Sequence, residues 1–255
     1  MSKIPVSVFI ITQDEEKNIE RVLNSVTDFQ EVIVVDSGSK DKTPQLAESL
    51  GAKVFHQDWL GYAKQKQYAM QLCENDWVLN LDADEMLTTD LVKEIKSAVE
   101  NIMVSGFRFQ RNDQFIGKFA PALCKLPNNL RLYRKSESSF DAERQVHESA
   151  DVDGREFFVR TPFLHFGYDD ICTLVEKNNQ YSTLRAEDKF SKHKKPSIIK
   201  LLLIFPAEFI KKYIFQRYVF FGYRGIILSV INANYAFLKE AKLFELHMRS
   251  KLNKK

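Results

Sequence analysis

The sequence predicts an α/β protein with a mostly parallel sheet covered by helices on both faces, followed by a basic helical extension. Three observations carry this. Short apolar runs alternate with helix-period stretches through the first third of the chain. The run Trp77-Val78-Leu79-Asn80-Leu81 leads straight into Asp82, Asp84 and Glu85. From Lys192 onward, 14 Lys/Arg stand against 3 Asp/Glu, a net +11 that leaves −8 for the rest of a chain whose total is +3.

In order, residues 6–12 form a short apolar run ending in polar residues, a buried strand. Ile19, Val22, Leu23 and Val26 recur at i, i+3, i+4 and i+7, one face of a helix, with Asp14, Glu15 and Glu16 at its favourable N-terminal side. Residues 32–35 are a second strand, stopped by Asp36-Ser37-Gly38-Ser39. Thr43 is the expected N-cap of the next helix, with Pro44 at its first position and Gly51 just past its end. Residues 53–55 give a third strand, and 63–72 a helix before the strand at Trp77. Leu91, Ile95, Ala98 and Ile102 mark another helix, capped by Thr88 or Thr89.

The rhythm then changes. Residues 106–111 and 130–134 alternate apolar with polar, as half-exposed or antiparallel strands do. The Pro-containing stretch 112–129 between them reads as a long functional loop. Residues 151–154 are a turn, and 157–159 and 163–164 are strand pieces. From about Asp170 the pattern is helical, with apolar blocks at 198–205, 209–221 and 226–238 interrupted by Lys211, Lys212, Arg217 and Arg224. No block is long and charge-free enough to span a bilayer. Helices lying in a membrane interface are expected, the alternative being a helical hairpin packed on the rest of the protein or on a second subunit.

The 255 residues, 44% hydrophobic and 28% charged, describe a soluble globular chain of one domain plus an appendage. Cys73, Cys124 and Cys172 are odd in number and lack metal-ligand spacing, which predicts a reduced, cytoplasmic setting. The N-terminus runs directly into a strand with no signal-peptide pattern.

The chemistry sits at the strand ends. Carboxylates are costly inside a buried strand and belong at its C-terminal end, where open α/β sheets hold ligands. In extended backbone Asp82 and Asp84 point the same way, and two hard oxygen ligands suit Mg²⁺ or Mn²⁺; an acidic turn opening the next helix is the simpler reading. No Gly-x-Gly-x-x-Gly or Walker-type loop is present, so dinucleotide oxidoreductase and P-loop nucleotidase chemistry lose their phosphate cradles. Asp36 on one side and Asp82/Asp84 on the other suit a nucleoside and a metal-diphosphate.

Thr12 with Glu15 and Glu16, the run Val34-Val35-Asp36-Ser37-Gly38-Ser39 ending at Asp41, and Leu81-Asp82-Ala83-Asp84-Glu85 together resemble glycosyltransferase family 2. A closer resemblance, to its lipopolysaccharide core β-1,4-glucosyltransferase-like branch, is carried by Trp59-Leu60-Gly61, Gln65-Lys66-Gln67-Tyr68-Ala69, Leu130-Arg131-Leu132-Tyr133-Arg134, Val146-His147-Glu148 and Leu164-His165-Phe166. The stretch 119–129 departs from that branch.

The resemblance implies a GT-A-type, Rossmann-like nucleotide-binding sheet over residues 1–190 and a membrane-associating extension over 191–255. Within the first, 1–90 would form the nucleotide-sugar half and 105–168 the acceptor half. It further implies transfer of a sugar from a nucleotide diphosphate, expected to be UDP-glucose, with inversion, onto a lipopolysaccharide-core or similar glycolipid at the anionic inner face of the cell membrane, with no nucleic-acid partner. Glu148 is the candidate base, with His147 as the alternative. Asp84 carries the metal, with Asp82 near the ribose or metal. His165 either completes the metal shell or is structural. Lys66 and Arg131 would contact phosphate, unless Arg131 is a solvated strand residue. Asp36, Thr12 and Glu15 belong to the nucleoside side. A polyprenyl-phosphate acceptor, or a non-catalytic nucleotide-binding membrane adaptor, are the competing expectations.

Overall fold

The computed structural model describes residues 2–101, 103–141, 149–167 and 170–252. Strands Ile4–Thr12 (β1), Phe29–Asp36 (β2), Lys53–His56 (β3) and Trp77–Asp82 (β4) alternate with helices Ile19–Asn24 (α1), Thr43–Ser49 (α2) and Tyr62–Gln71 (α3). Then come Glu85–Met86 (β5), Thr89–Ala98 (α4), Gly106–Phe115 (β6), Lys118–Phe119 (β7), Asn128–Arg134 (β8), Ser138–Ser139 (β9), Asp151–Val152 (β10) and Glu156–His165 (β11). The C-terminal helices are Ile171–Ser191 (α5), Ile198–Ile210 (α6) and Tyr223–Leu252 (α7). Between α6 and α7 lie a π-turn, Lys211–Phe215, and a 3-10 turn, Tyr218–Phe221.

The chain divides into two units, Met1–Asp113 with Pro127–Gly167, and Gln114–Leu126 with Tyr168–Lys255. In the first, the sheet runs β3-β2-β1-β4-β8-β6-β11-β5. Its first four strands are parallel, as the β-α-β-α rhythm requires. Beyond β4 the expectation of a mostly parallel sheet fails. β8 is antiparallel to β4 and β6, β11 is parallel to β6, and β5 is antiparallel to β11, so the sheet is mixed. From β6 to β11 no α-helix intervenes, and the antiparallel pairs of β8 with β4 and β6 need no crossover helix.

Alternation along the central strands sorts the core. Val8, Ile10, Leu79 and Leu81 pack with Ile19 and Val22 of α1 and Leu91 and Ile95 of α4. Phe9, Ile33, Val35 and Val78 turn the other way, onto Ala69 and Met70 of α3. Apolar residues of both phases are therefore buried, which is why these strands read as continuous apolar runs.

Three local expectations change. Thr43 lies inside α2, whose cap position is Lys42. The Asp41 carboxylate accepts the Thr43 amide at 2.9 Å, which leaves the Thr43 hydroxyl to receive the Glu15 N–H at 2.8 Å. Residues 112–115, expected as loop, continue β6, because β11 pairs with Asn112 and Asp113 and β7 with Gln114 and Phe115. The two strand pieces near 157 and 163 are one strand, interrupted by a register shift between Val159 and Pro162 that explains the broken pattern. For α4, Thr88 is the cap, accepting from the Leu91 amide at 3.3 Å; Ile102 lies outside the described residues.

In the second unit α5 and α6 both pack on α7. α7 meets its neighbours along Gly225, Ser229, Ala233 and Ala236, small residues that allow close approach. Among the described residues no helix is long and apolar enough to cross a membrane.

Candidate active site

The parallel half of the sheet defines where ligands meet it. β2 and β3 lie on one side of β1 and β4 on the other, so the strand order reverses at β1, and the C-terminal ends there are where sheets of this kind hold ligands. The register sets Thr12 beside Asp36 and Ile11 beside Asp82. Both acidic strand ends therefore flank the tip of β1.

On the β2 side, Asp36 is buried. Its Oδ2 accepts the amides of Gly38 and Ser39 at 2.9 Å each, and its Oδ1 accepts the Ser39 hydroxyl. Gly38, at φ +88, makes this tight loop possible. The Thr12 hydroxyl is buried with no hydrogen-bond partner among the described residues. Glu15 is half-buried and accepts from the Asn18 side chain at 2.8 Å. Gln65, fully buried, donates to Ser37 Oγ and to the Gln57 carbonyl at 3.0 Å each, tying the loops after β2 and β3 to α3. Above that knot Trp59 and Tyr62 stand exposed, edge to face at 4.7 Å.

On the β4 side buried Lys66, Arg131 and Glu85 gather around the half-buried Asp82. Lys66 Nζ lies 2.9 Å from Asp82 Oδ1, and the Arg131 guanidinium lies 2.9 Å from Asp82 Oδ2 while also holding Glu85. Glu85 in turn accepts the Asp82 amide at 3.0 Å. Burial pushes the Asp82 carboxyl upward, but Lys66 and Arg131 outweigh it and hold the group well below the usual range. For Glu85 burial wins over Arg131, and its pKa is pushed up to about 7. The solvated-face reading of Arg131 is thereby removed: the side chain is buried and paired twice.

Asp82 and Asp84 do not share an extended segment. β4 stops at Asp82, and Ala83 and Asp84 form a turn into β5, so the strand-parity argument for their common direction does not apply. The hydrogen-bonded path from β4 to β5 passes through β8, β6 and β11, while the chain makes the same journey in two residues. The sheet thus closes back on the acidic turn. Consequently Asp113, His165 and Glu85 are register neighbours on β6, β11 and β5.

His165 Nε2 sits 3.3 Å from Asp84 Oδ2, and its Nδ1 sits 2.7 Å from Asp113 Oδ1. Arg111 Nε supports Asp113 at 2.8 Å. Burial lowers the His165 pKa, but the two carboxylates raise it to about 9; burial likewise raises Asp113, and His165 with Arg111 bring it below the usual range. A Cβ added at Gly167 would lie 2.5 Å from the His165 ring and 2.8 Å from Asp84 Oδ2, so the space over this pair exists because residue 167 is glycine.

These residues fit a divalent ion. Asp84 and His165 offer one oxygen and one nitrogen in a space that a side chain would fill, and Asp113 holds the far ring nitrogen as carboxylates do behind metal-bound histidines. Among the described residues no group of three His, Cys, Asp or Glu could hold an ion unaided. Water and substrate oxygens would have to supply the remaining positions, as is usual for Mg²⁺.

His147 and Glu148 lie outside the described residues. Asp113, Glu85 and Gly167 were missed from sequence. Asp113 falls in a stretch read as loop, Glu85 was seen only as a third acid, and nothing local marks Gly167.

The family model for glycosyl transferase family 2 matches residues 7–151. The glycosyltransferase RT0209 of Rickettsia typhi is 38% identical, covering 96% of this chain and 89% of its own. The lipopolysaccharide core biosynthesis glycosyltransferase LpsC of Rhizobium meliloti is 33% identical, covering 96% of this chain and 94% of its own. Among solved structures, S. aureus TarS 1-349 in complex with UDP superposes with a TM-score of 0.51 at 17% identity over 89% of each chain, a likeness of fold. By the family model and by relatives spanning nearly its whole length, this chain belongs to glycosyl transferase family 2.

Proposed function

We propose that the chain is an inverting, metal-dependent hexosyltransferase that moves glucose from UDP-glucose onto a glycolipid of the lipopolysaccharide-core type at the inner face of the cell membrane. The observation that carries the reading is the Asp84–His165 pair beside the Lys66–Asp82–Arg131 cluster, at the C-terminal strand ends where open α/β sheets hold their ligands. The named role of LpsC supports the acceptor class, and the UDP held by TarS supports a uridine donor.

In this reading Thr12, Glu15 and Asp36 take the nucleoside, which would give the buried Thr12 hydroxyl the hydrogen-bond partner it lacks among the described residues. Lys66 and Arg131 hold Asp82 ionised and fixed, so that it meets the ribose or the ion without rearranging. Asp84 and His165 would hold Mg²⁺ or Mn²⁺, whose chemistry would be to neutralise the charge that grows on the leaving diphosphate. The acceptor hydroxyl attacks the anomeric carbon from the face opposite the diphosphate. Its proton passes to Glu148, the bond from that carbon to the diphosphate oxygen breaks, and UDP leaves. His147 is the alternative base; for both residues the assignment rests on the sequence resemblance.

Glu148→Gln tests the step. With a sugar hydroxyl as acceptor, kcat/KM falls about 100-fold or more. With a polyprenyl phosphate, whose nucleophile is already ionised, it barely changes, and the acceptor assignment fails. Release of UDP from a panel of sugar nucleotides identifies the donor, and the anomeric configuration of the product checks inversion. Donor binding with neither hydrolysis nor transfer to any glycolipid acceptor would leave a non-catalytic nucleotide-binding adaptor.

A further inference from the structure

We propose that the outward face of α6 and of the turns after it lies in the surface of an anionic lipid bilayer, as a monotopic docking surface. This deepens the reading above and rests on its lipid-linked acceptor for its purpose, although the surface is argued from other residues. α6 contains no buried residue. Ile198, Ile199, Leu202, Leu203, Pro206 and Ile210 fall at helical spacing along one broad stripe. Ile199 is 71% exposed, Leu202 69% and Leu203 58%. The helix packs on α7, yet this stripe stays in solvent. Past its end, Phe215 in the π-turn and Phe220 in the 3-10 turn continue the exposed apolar surface at 66% and 53%. An apolar surface of this continuity marks a partner rather than ordinary solvent contact.

Charge chooses the partner. Residues 192–224 hold eight Lys/Arg and one acid, Glu208, which Lys211 already pairs at 3.0 Å. Lys194 and Lys195 precede the stripe, while Lys211 and Lys212 follow it. Long cationic side chains bordering an apolar face match the boundary between acyl chains and anionic head groups. A second copy of the chain would bring the same cations face to face, which disfavours self-association. Since no described helix can cross a membrane, the segment lies in the plane of the interface.

The sequence pattern marked three apolar blocks for this role, and the structure separates them. The block in α7 buries Ser229, Ala233 and Ala236, whereas the α6 block buries none.

Flotation of the full chain with vesicles of equal parts phosphatidylcholine and phosphatidylglycerol tests this without donor or acceptor. The unaltered chain floats with these vesicles and poorly with phosphatidylcholine alone, and added salt weakens the binding. Leu202→Asp combined with Leu203→Asp lowers binding about tenfold or more, and Lys194→Glu with Lys195→Glu also lowers it. All four side chains are exposed, so circular dichroism and release of UDP from UDP-glucose in solution stay unchanged. Failure of the unaltered chain to float, or flotation of the leucine variant equal to it, overturns the proposal. So does a concentration-dependent dimer abolished by the leucine variant, which would make a second copy the occupant. Binding is read without catalysis, so failure of the transferase reading leaves these outcomes distinguishable.

Discussion

Asp113 and Gly167 show how much of the candidate centre depends on single atoms. Asp113 fixes one ring nitrogen of His165 and so turns the other toward Asp84. Asp113→Asn keeps the size of the side chain but weakens that hold. Affinity for Mn²⁺, titrated calorimetrically in the presence of UDP, should fall about 10–100-fold with the fold intact. Unchanged affinity would show that His165 needs no support from behind. Gly167→Ala acts from the open side, where its Cβ would meet the His165 ring and Asp84 below van der Waals distance. The same titration should lose about tenfold or more, because the new methyl group occupies the space above the pair. Asp82 illustrates a different constraint. Its half-buried carboxylate has a cation on each oxygen, Lys66 and Arg131, so loss of either one leaves the other in place.

At the scale of elements, the opposite end of the parallel strands is tied together by Glu31. Ser7 on β1, Lys53 on β3 at 2.7 Å and the Glu74 amide ahead of β4 at 2.9 Å all converge on this buried β2 carboxylate. Burial raises its pKa, but these three donors outweigh burial and leave it below the ordinary glutamate value. A carboxylate depressed on folding stabilises the protein above its unfolded pKa, and the contribution is lost as pH falls through its folded value. Glu31→Gln should therefore cost about 1–3 kcal/mol in urea unfolding at neutral pH. The gap to the unaltered chain should close as pH falls through the folded value, below the ordinary glutamate range. A gap independent of pH would mean that shape, and not charge, is what Glu31 contributes.

For the whole molecule the relevant quantity is linkage between donor binding and stability. UDP with Mn²⁺, at about 100 times its dissociation constant, should add about 2.7 kcal/mol to the free energy of unfolding. For a chain of this size that raises Tm by roughly 5–10 °C. A chelator should remove most of the gain if Asp84 and His165 hold the ion that carries the diphosphate. An equal shift with UDP alone would break the metal assignment while leaving nucleotide binding in place. The charge division belongs to this scale too: the C-terminal +11 and the −8 elsewhere give the chain a strongly basic part, although its total is near neutral.

The parallel strands, the helices between them and the acidic end of β4 were legible from sequence, because each is written locally. Continuous apolar runs, helix-period faces and a carboxylate placed where burial stops are properties of neighbouring residues. The family was legible for the same reason, its landmarks being short runs at strand ends. What only tertiary structure decided is which distant residues meet. The mixed half of the sheet closes back on the Ala83–Asp84 turn, and that closure brings Asp113, His165 and Gly167 to Asp84 from positions far along the chain. It also buries Arg131 between Asp82 and Glu85, where alternation alone left it open to solvent. Strand pairing carries no local signature beyond alternation, so register, and the side chains it sets side by side, could be read only from the folded chain.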